Sequence, residues 1–483
     1  MTDAILDSKI PRLMLAATGS GTGKTTLMCA LLTAWVRRKL SVMSFKCGPD
    51  YIDPMFHSRI IGVPSRNLDV FMSGEAGVRF LLARSAKGMD LALIEGVMGL
   101  YDGVSDQADN ASSNHLALIT ETPTVLVVNV RGMARSTLAM IQGFQRYAAN
   151  TIQGVILNHC PAGRYEQYKL SIESELGLRV YGYFPPLPQA HLGSRHLGLI
   201  TAAEIADLTE RLEVLGDAAE RCIDLDGLLE LSKRAPILTA TDLWPAVRMG
   251  YPKVRIGVAR DQAFCFLYQD NLDSLARLGA ELVDFSPLSD QALPEDLSGL
   301  ILPGGYPELH AVALSGNTKM RASVRTAVEK GIPLLAECGG FMYLMESMID
   351  QDDMEHPMVG VIKGQSKMTG KLSHFGYHEL RANRDTPLCA QGEIIRTHEF
   401  HYSSCSHEGT AFTAHKRGRT WTCVHAGEAQ LAGYPHYHFA AQPHQAERFI
   451  NQCRTFAEGK FSGFSSHQLT QEHDLSGKEA GRL

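Results

Sequence analysis

Lys24 and Thr25 close the stretch ATGSGTGKTT (residues 17–26), in which Gly19, Gly21 and Gly23 precede a basic and a hydroxyl side chain. In such a loop backbone N–H groups turn inward at a helix N-terminus to hold phosphate oxygens, the lysine adds a charge, and the hydroxyl reaches magnesium. The stretch departs from the usual phosphate-loop pattern at one place, where Thr18 stands instead of glycine. The remaining glycines keep the backbone open, and Lys24, Thr25 and Thr26 follow them directly. The spacing favours a nucleotide site over a turn that only packs two elements together.

Carboxylates follow at intervals that suit phosphoryl transfer. KCGPDYIDP (46–54) places Asp50 and Asp53 around a Gly-Pro turn beside Lys46, and IEGVMGLYDG (94–103) adds Glu95 and Asp102. Any one of these acids reads equally well as a turn former or helix cap. Four of them at strand ends near a phosphate loop suit a Mg²⁺ site, because that ion takes oxygen ligands and keeps several waters.

A second set lies downstream. LLAECGGFMYLM (334–345) puts Cys338 at a sharp strand-to-helix turn whose Gly339 and Gly340 tolerate crowding. That is the geometry of an exposed nucleophile, with the helix N-terminus expected to confer thiolate character on the sulfur. LPGGYPE (302–308) offers the N–H groups of Gly304 and Gly305 to an oxyanion. GYPHYHF (433–439) supplies His436 and His438 as candidate bases, with His401 in EFHYSS a weaker one. The competing reading is a buried small thiol and a satisfied pair of core histidines.

The elements that must position these groups alternate. Strands are expected at 13–17, 41–46, 90–96, 124–130 and 154–160, with a helix over 25–38; strands next to helices imply a parallel sheet covered on both faces. From Pro185 to about Pro252 the sequence is acidic and helical without a clear buried strand, and reads as a linker or cap. A second α/β series begins at 253–259 and continues through 280–285, 299–305 and 331–340 to one last helix. The expected division is 1–190, a linker at 191–251, 252–445, and a terminal helix with a polar, disordered tail over 446–483. The fold class is therefore α/β with two doubly wound domains.

Composition narrows the partners. The chain of 483 residues has 45% hydrophobic and 20% charged residues and a net charge of −6, with no basic stripe interleaved with aromatics, which excludes a nucleic-acid surface. Ten scattered cysteines form no CxxC pair, so neither a zinc knuckle nor a disulfide framework is expected. No apolar run is long enough to span a membrane, and the first residues carry no signal-peptide pattern, which points to the cytoplasm.

PGGYPE, then AECGGFMYL, then a late histidine resemble a class I glutamine amidotransferase domain. The N-terminal half is similar to dethiobiotin-synthetase-like ATPase domains, and this fusion resembles the cobyrinate a,c-diamide synthase family. GPDYIDP, EGVMGLYDG, SRHLGL (194–199), AFCFLYQDNL (263–272) and LPGGYPELH carry the likeness, which reaches to about residue 445. The resemblance implies ATP- and glutamine-dependent amidation of the a and c acetate groups of cobyrinate in cobalamin biosynthesis. It also implies ATP and Mg²⁺ as cofactors, small-molecule partners, no nucleic acid and no membrane, with a homodimer left open. By position it implies Thr25, Asp50 and Glu95 as magnesium ligands, and Asp53 and Asp102 as groups that position substrate or stabilise a phosphorylated intermediate. Asn158 becomes an adenine-reading residue, Cys338 the nucleophile and His436 its base. Where many amidotransferases carry glutamate two residues after the histidine, this chain has His438, so the third member is open. Hydrogenobyrinate and nickel sirohydrochlorin are alternative substrates for the same chemistry, cobyric acid synthesis is a related one, and a P-loop regulator with a silent amidotransferase domain is the alternative of another class.

Overall fold

The computed structural model describes residues 5–104, 110–190, 202–244, 253–440 and 442–459. SRHLGL and the tail after residue 459 lie outside the described residues. The chain divides into two compact units, Met1–Leu243 and Trp244–Leu483.

The first unit is built on seven parallel strands: β1 (Arg12–Ala17), β2 (Val42–Cys47), β3 (Ser65–Leu68), β4 (Leu91–Glu95), β5 (Thr124–Asn129), β6 (Ile152–Asn158) and β7 (Arg179–Phe184), in the order β3-β2-β4-β1-β5-β6-β7. Strands β1, β2 and β4 are buried at every position, as runs covered on both faces must be. β1, the first strand of this sheet, lies in its middle, and the C-terminal ends of β1, β2 and β4 form the edge where such sheets receive ligands. α1 (Lys24–Arg37) leaves β1 through the glycine loop and buries Leu27, Leu31 and Trp35.

The acidic helical stretch is part of this unit. α2 (Ala202–Cys222) and α3 (Leu225–Lys233) contribute Leu212, Leu215, Ala219, Leu228 and Leu231 to the same apolar core as Leu27, Leu31 and Trp35. Arg37 pairs with Glu213 and Asp217, and Arg38 with Glu220 and Asp226. These exposed pairs add little beside the apolar contact. A short strand, Leu238–Thr241, then pairs antiparallel with Ile5–Ser8.

The second unit has a parallel sheet of β8 (Val254–Ala259), β9 (Ala280–Phe285), β10 (Gly299–Leu302), β11 (Leu334–Glu337) and β14 (Gln430–Gly433), in the order β9-β8-β10-β11-β14, closed by antiparallel His425–Ala426. Between β11 and β14 the chain builds a second sheet of six strands around a long hairpin, β12 (Ile362–Ala382) and β13 (Ile394–Cys405). Along β13 burial alternates, with Thr397, Glu399, His401 and Ser403 inward and Phe400 and Tyr402 outward. α4 (Gly339–Leu344) follows β11, and α5 (His444–Ala457) ends the described chain.

Arg12 is fully buried at the start of β1 and donates to the carbonyl oxygens of Thr120 (3.0 Å), Pro236 (2.8 Å), Ile10 (3.2 Å) and Glu121 (3.3 Å). Burial pulls its guanidinium down to about 10. One side chain thus ties the central strand to the segment after α3. Arg12→Leu is expected to destabilise the unit by on the order of 3 kcal/mol, since several buried carbonyls lose their donor; urea unfolding followed by circular dichroism measures it.

Candidate active sites

Phosphate-loop geometry at the end of β1 depends on glycine at two places. Gly21 and Gly23 take φ of 72° and 91°, the left-handed region that L-residues avoid. A Cβ on Gly23 would also lie 2.1 Å from Asn158 Nδ2. Asn158, at the end of β6, donates to the Thr22 carbonyl oxygen at 2.6 Å, so its amide here braces the loop. Thr22 Oγ1 donates to Gly19 O at 2.9 Å, and Lys24 Nζ to Gly19 O at 3.2 Å and to Met98 O. Burial, with Lys46 nearby, pulls the Lys24 ammonium down to about 8. Thr26 stands on the first turn of α1.

Beside the loop, Lys46 is the hub of the acids. Its Nζ donates to Asp53 Oδ2 (2.7 Å) and Glu95 Oε1 (2.8 Å) and stands 3.9 Å from Asp50 Oδ2. Thr25 Oγ1 donates to the same Glu95 oxygen at 2.6 Å. Burial pushes the Glu95 carboxyl up against the pull of Lys46, and burial and Asp53 raise Asp50 to about 6. The other Glu95 oxygen, Oε2, is buried without a hydrogen bond and lies 3.9 Å from His57 Nε2. His57 in turn meets Ser44 Oγ at 2.9 Å through Nδ1. Asn67 Nδ2 donates to Gly48 O and Asp50 O and so fixes the GPD turn. Asp102 is exposed and accepts from the Gly99 N–H at 2.7 Å, closing its own loop apart from the Lys46 cluster. The sequence spacing brought out Thr25, Lys46, Asp50, Asp53 and Glu95 but gave no sign of His57, Ser44 or Asn67, which sit in segments without a motif. Among the described residues no three His, Cys, Asp or Glu side chains are grouped as a self-sufficient metal site.

In the second unit Cys338 sits at φ 47° and ψ −104° between β11 and α4, a strained conformation for a residue with a Cβ. Close packing enforces the elbow. A Cβ on Gly340 would lie 2.0 Å from Leu302 O, and one on Gly339 2.8 Å from Pro307 Cδ. Cys338 N donates to Gly433 O at 2.7 Å. Gly304 and Gly305 pair antiparallel with Phe266 and Phe264, and a Cβ on Gly304 would meet His436 Cε1 at 2.7 Å.

His436 Nδ1 lies 3.1 Å from Glu337 Oε2, and both side chains are buried. The group opposite the histidine is thus the residue immediately before Cys338, and not His438, whose ring packs against Tyr268 at 4.9 Å. Adjacency in sequence hid it, because a strand residue beside a nucleophile ordinarily points away. The expected thiolate character is corrected by the structure: burial pushes the Cys338 thiol up, and Glu308, Glu399 and Glu337 reinforce the shift against the Gly339 N–H. Enclosure and three carboxylates outweigh a helix of six residues. The resting sulfur is a thiol that needs a base.

His401 stacks face to face on Tyr434, with centroids 3.7 Å apart and an interplanar angle of 3°, and its Nε2 lies 3.3 Å from Glu399 Oε2. The ring is held as a structural member. Glu399 also meets His378 Nε2 at 3.2 Å.

Two units of this kind define a class: a nucleotide-binding domain joined to a glutamine amidotransferase domain. Residues 13–196 match the family model described as the CobQ/CobB/MinD/ParA nucleotide binding domain, and residues 255–444 the CobB/CobQ-like glutamine amidotransferase domain. The chain is 38% identical to cobyrinate a,c-diamide synthase of Priestia megaterium, over 92% of this chain and 97% of that one. It is 39% identical to the Salmonella typhimurium protein of that name, over 91% and 98%, and 37% identical to that of Thermoplasma volcanium, over 93% and 99%. The chain belongs to the cobyrinate a,c-diamide synthase family.

Burial would raise Glu399, but the hydrogen bonds from His378 and His401 override it and hold the carboxyl at about 2. A depressed carboxylate stabilises the fold above its unfolded value near 4.5 and loses that contribution as pH falls toward 2, on the order of 3 kcal/mol in all. Acid unfolding of Glu399→Gln is therefore expected to be less steep below pH about 4.5 than that of the wild type, from a lower stability at neutral pH; tryptophan fluorescence against pH reads both. Glu337→Gln is expected to lower glutaminase kcat by about 10- to 100-fold while KM for glutamine changes little, as loss of a group that orients the base requires.

Proposed function

We propose that this chain amidates the a and c acetate carboxylates of cobyrinate, using ATP and glutamine. The observation that carries the substrate is 37–39% identity across nine-tenths or more of both chains to relatives named for that reaction. The two sites support the chemistry. A carboxylate is a poor electrophile, so its oxygen first takes the γ-phosphoryl group of ATP, giving an acyl phosphate and ADP. Ammonia then attacks the acyl carbon and phosphate leaves.

Lys24 and the loop N–H groups face the transferring phosphoryl charge, where a positioned cation and amides act by electrostatic stabilisation. The donor set beside them fits a divalent cation. Asp50, Asp53 and Glu95 with Lys46 leave two net negative charges, every donor is oxygen, and Glu95 Oε2 has no hydrogen bond. Mg²⁺ is held by one or two carboxylates together with substrate phosphates, so a complete protein cage is not required. Thr25, Asp50 and Glu95 would hold it, and when bound it would neutralise phosphate charge. Lys46 holds Asp53 and Glu95 in place, and Asp53 and Asp102 meet substrate. Asn158 holds the loop beneath the nucleotide and lies at a strand end from which it also reads the adenine.

Ammonia comes from the second unit. His436, oriented by Glu337, takes the proton of Cys338, and the sulfur attacks the side-chain amide of glutamine. The N–H groups of Gly304 and Gly305 face the oxyanion. Ammonia leaves from the tetrahedral centre, and water hydrolyses the thioester to glutamate. ATP and glutamine as substrates support a cytoplasmic location.

Amide-¹⁵N glutamine distinguishes the substrates. Two labels on cobyrinic acid, and none on hydrogenobyrinic acid or nickel sirohydrochlorin, is the expected mass-spectrometric result; label on another macrocycle alone reassigns the substrate. Cys338→Ala is expected to abolish glutamine-driven amidation and leave the ammonium-driven reaction intact. A protein that acts only as a regulator would show neither. Lys24→Ala is expected to lower kcat/KM for ATP by about 10²-fold or more in either assay.

A further inference from the structure

Three carboxylates act on the Cys338 thiol: Glu308, Glu399 and Glu337. Two are committed. Glu337 faces His436, and Glu399 is held between His378 and His401. Glu308 is not. Its carboxylate accepts from its own backbone N–H, and among the described residues it has no hydrogen bond or ion pair with another side chain. Of the three it bears on the thiol most strongly.

Its place in the fold is set by the elbow. Glu308 lies on the single turn Pro307–His310, with one residue between that turn and the Gly304–Gly305 pair whose first member sits against His436. Pro307, the residue before it, sits against Gly339 so closely that a Cβ there would lie 2.8 Å from the proline ring. Tyr306 packs edge-on against Phe266 at 5.0 Å, which fixes the turn from its other side. Glu308 is thus half-buried on a braced turn at the nucleophile, and without a counter-ion its carboxyl is raised to about 7 by burial.

Glutamine brings two charges to this place besides its amide, an α-ammonium and an α-carboxylate. An ammonium taken out of water needs an anion, and a half-buried carboxylate without a side-chain partner is the complementary half of that pair. Glu337 and Glu399 have imidazoles in that position already. We propose that the Glu308 carboxylate receives the α-ammonium group of glutamine and so selects glutamine over other primary amides of the same length. This rests on Cys338 being the glutaminase nucleophile.

The test compares glutamine with glutaramate, the same amide without the α-ammonium group, on the full-length wild type, Glu308→Gln and Glu308→Asp. Wild type is expected to prefer glutamine by about 100-fold or more in kcat/KM, and Glu308→Gln to lose most of that preference through KM for glutamine. Its kcat/KM for glutaramate and its ammonium-driven amidation are expected to stay within about threefold of wild type, and Glu308→Asp to recover part of the preference. A Glu308→Gln enzyme that retains the wild-type preference, or that loses both amides equally, overturns the proposal while leaving Cys338 as the nucleophile. A wild-type enzyme that hydrolyses neither amide, yet amidates with ammonium, overturns both.

Discussion

Charge that must stay buried governs both halves of this molecule. At the edge of the first sheet Lys46 bridges Asp53 from one segment and Glu95 from the neighbouring strand, with Thr25 on the same Glu95 oxygen. Lys46, Asp53 and Glu95 are all buried, with little water to carry their charge. The pairs with Lys46 offset part of what burial costs the two carboxylates, and removal of one partner from such a cluster costs far more than the cluster contributes over an apolar replacement. The same rule holds at Glu337 with His436 and at Glu399 with two histidines. The scaffold is arranged to satisfy these pairs, and the reactive groups Lys24 and Cys338 stand beside them.

Much of this was legible in the sequence, for physical reasons. Short apolar runs such as LALIE and TVLVVN have no polar face, so they can only be strands covered on both sides, and the structure has them at Leu91–Glu95 and Thr124–Asn129. The glycine loop and the AECGG elbow were readable because their backbones demand residues without a Cβ, and the contacts made at Gly23 and Gly340 show how little room there is. The carboxylates were readable because acids cluster at strand ends only when something holds them there.

What stayed hidden depended on long-range packing. β3 (SRNL) and β7 (RVYGYF) mix polar with apolar residues and give no clean period. The acidic stretch that reads as a linker is amphipathic, and only its packing on the apolar side of α1 shows what its hydrophobic face covers. In the six-strand sheet β13 alternates, but its partner β12 is broken by bulges between Met368 and Gly376. The role of Glu337 was invisible because it depends on where His436, 99 residues away, returns to the sheet.

The elbow has one more consequence. Glu337 and Cys338 are neighbours along the chain, the first the last residue of β11 and the second the residue that turns into α4. The nucleophile and the residue whose carboxylate steers the imidazole are therefore separated by one peptide unit. His436 has to be brought in from afar, and its backbone N–H is anchored to His398 O at 3.0 Å on the hairpin strand β13. The place of the imidazole is thus set at one joint, where β13 meets the segment after β14.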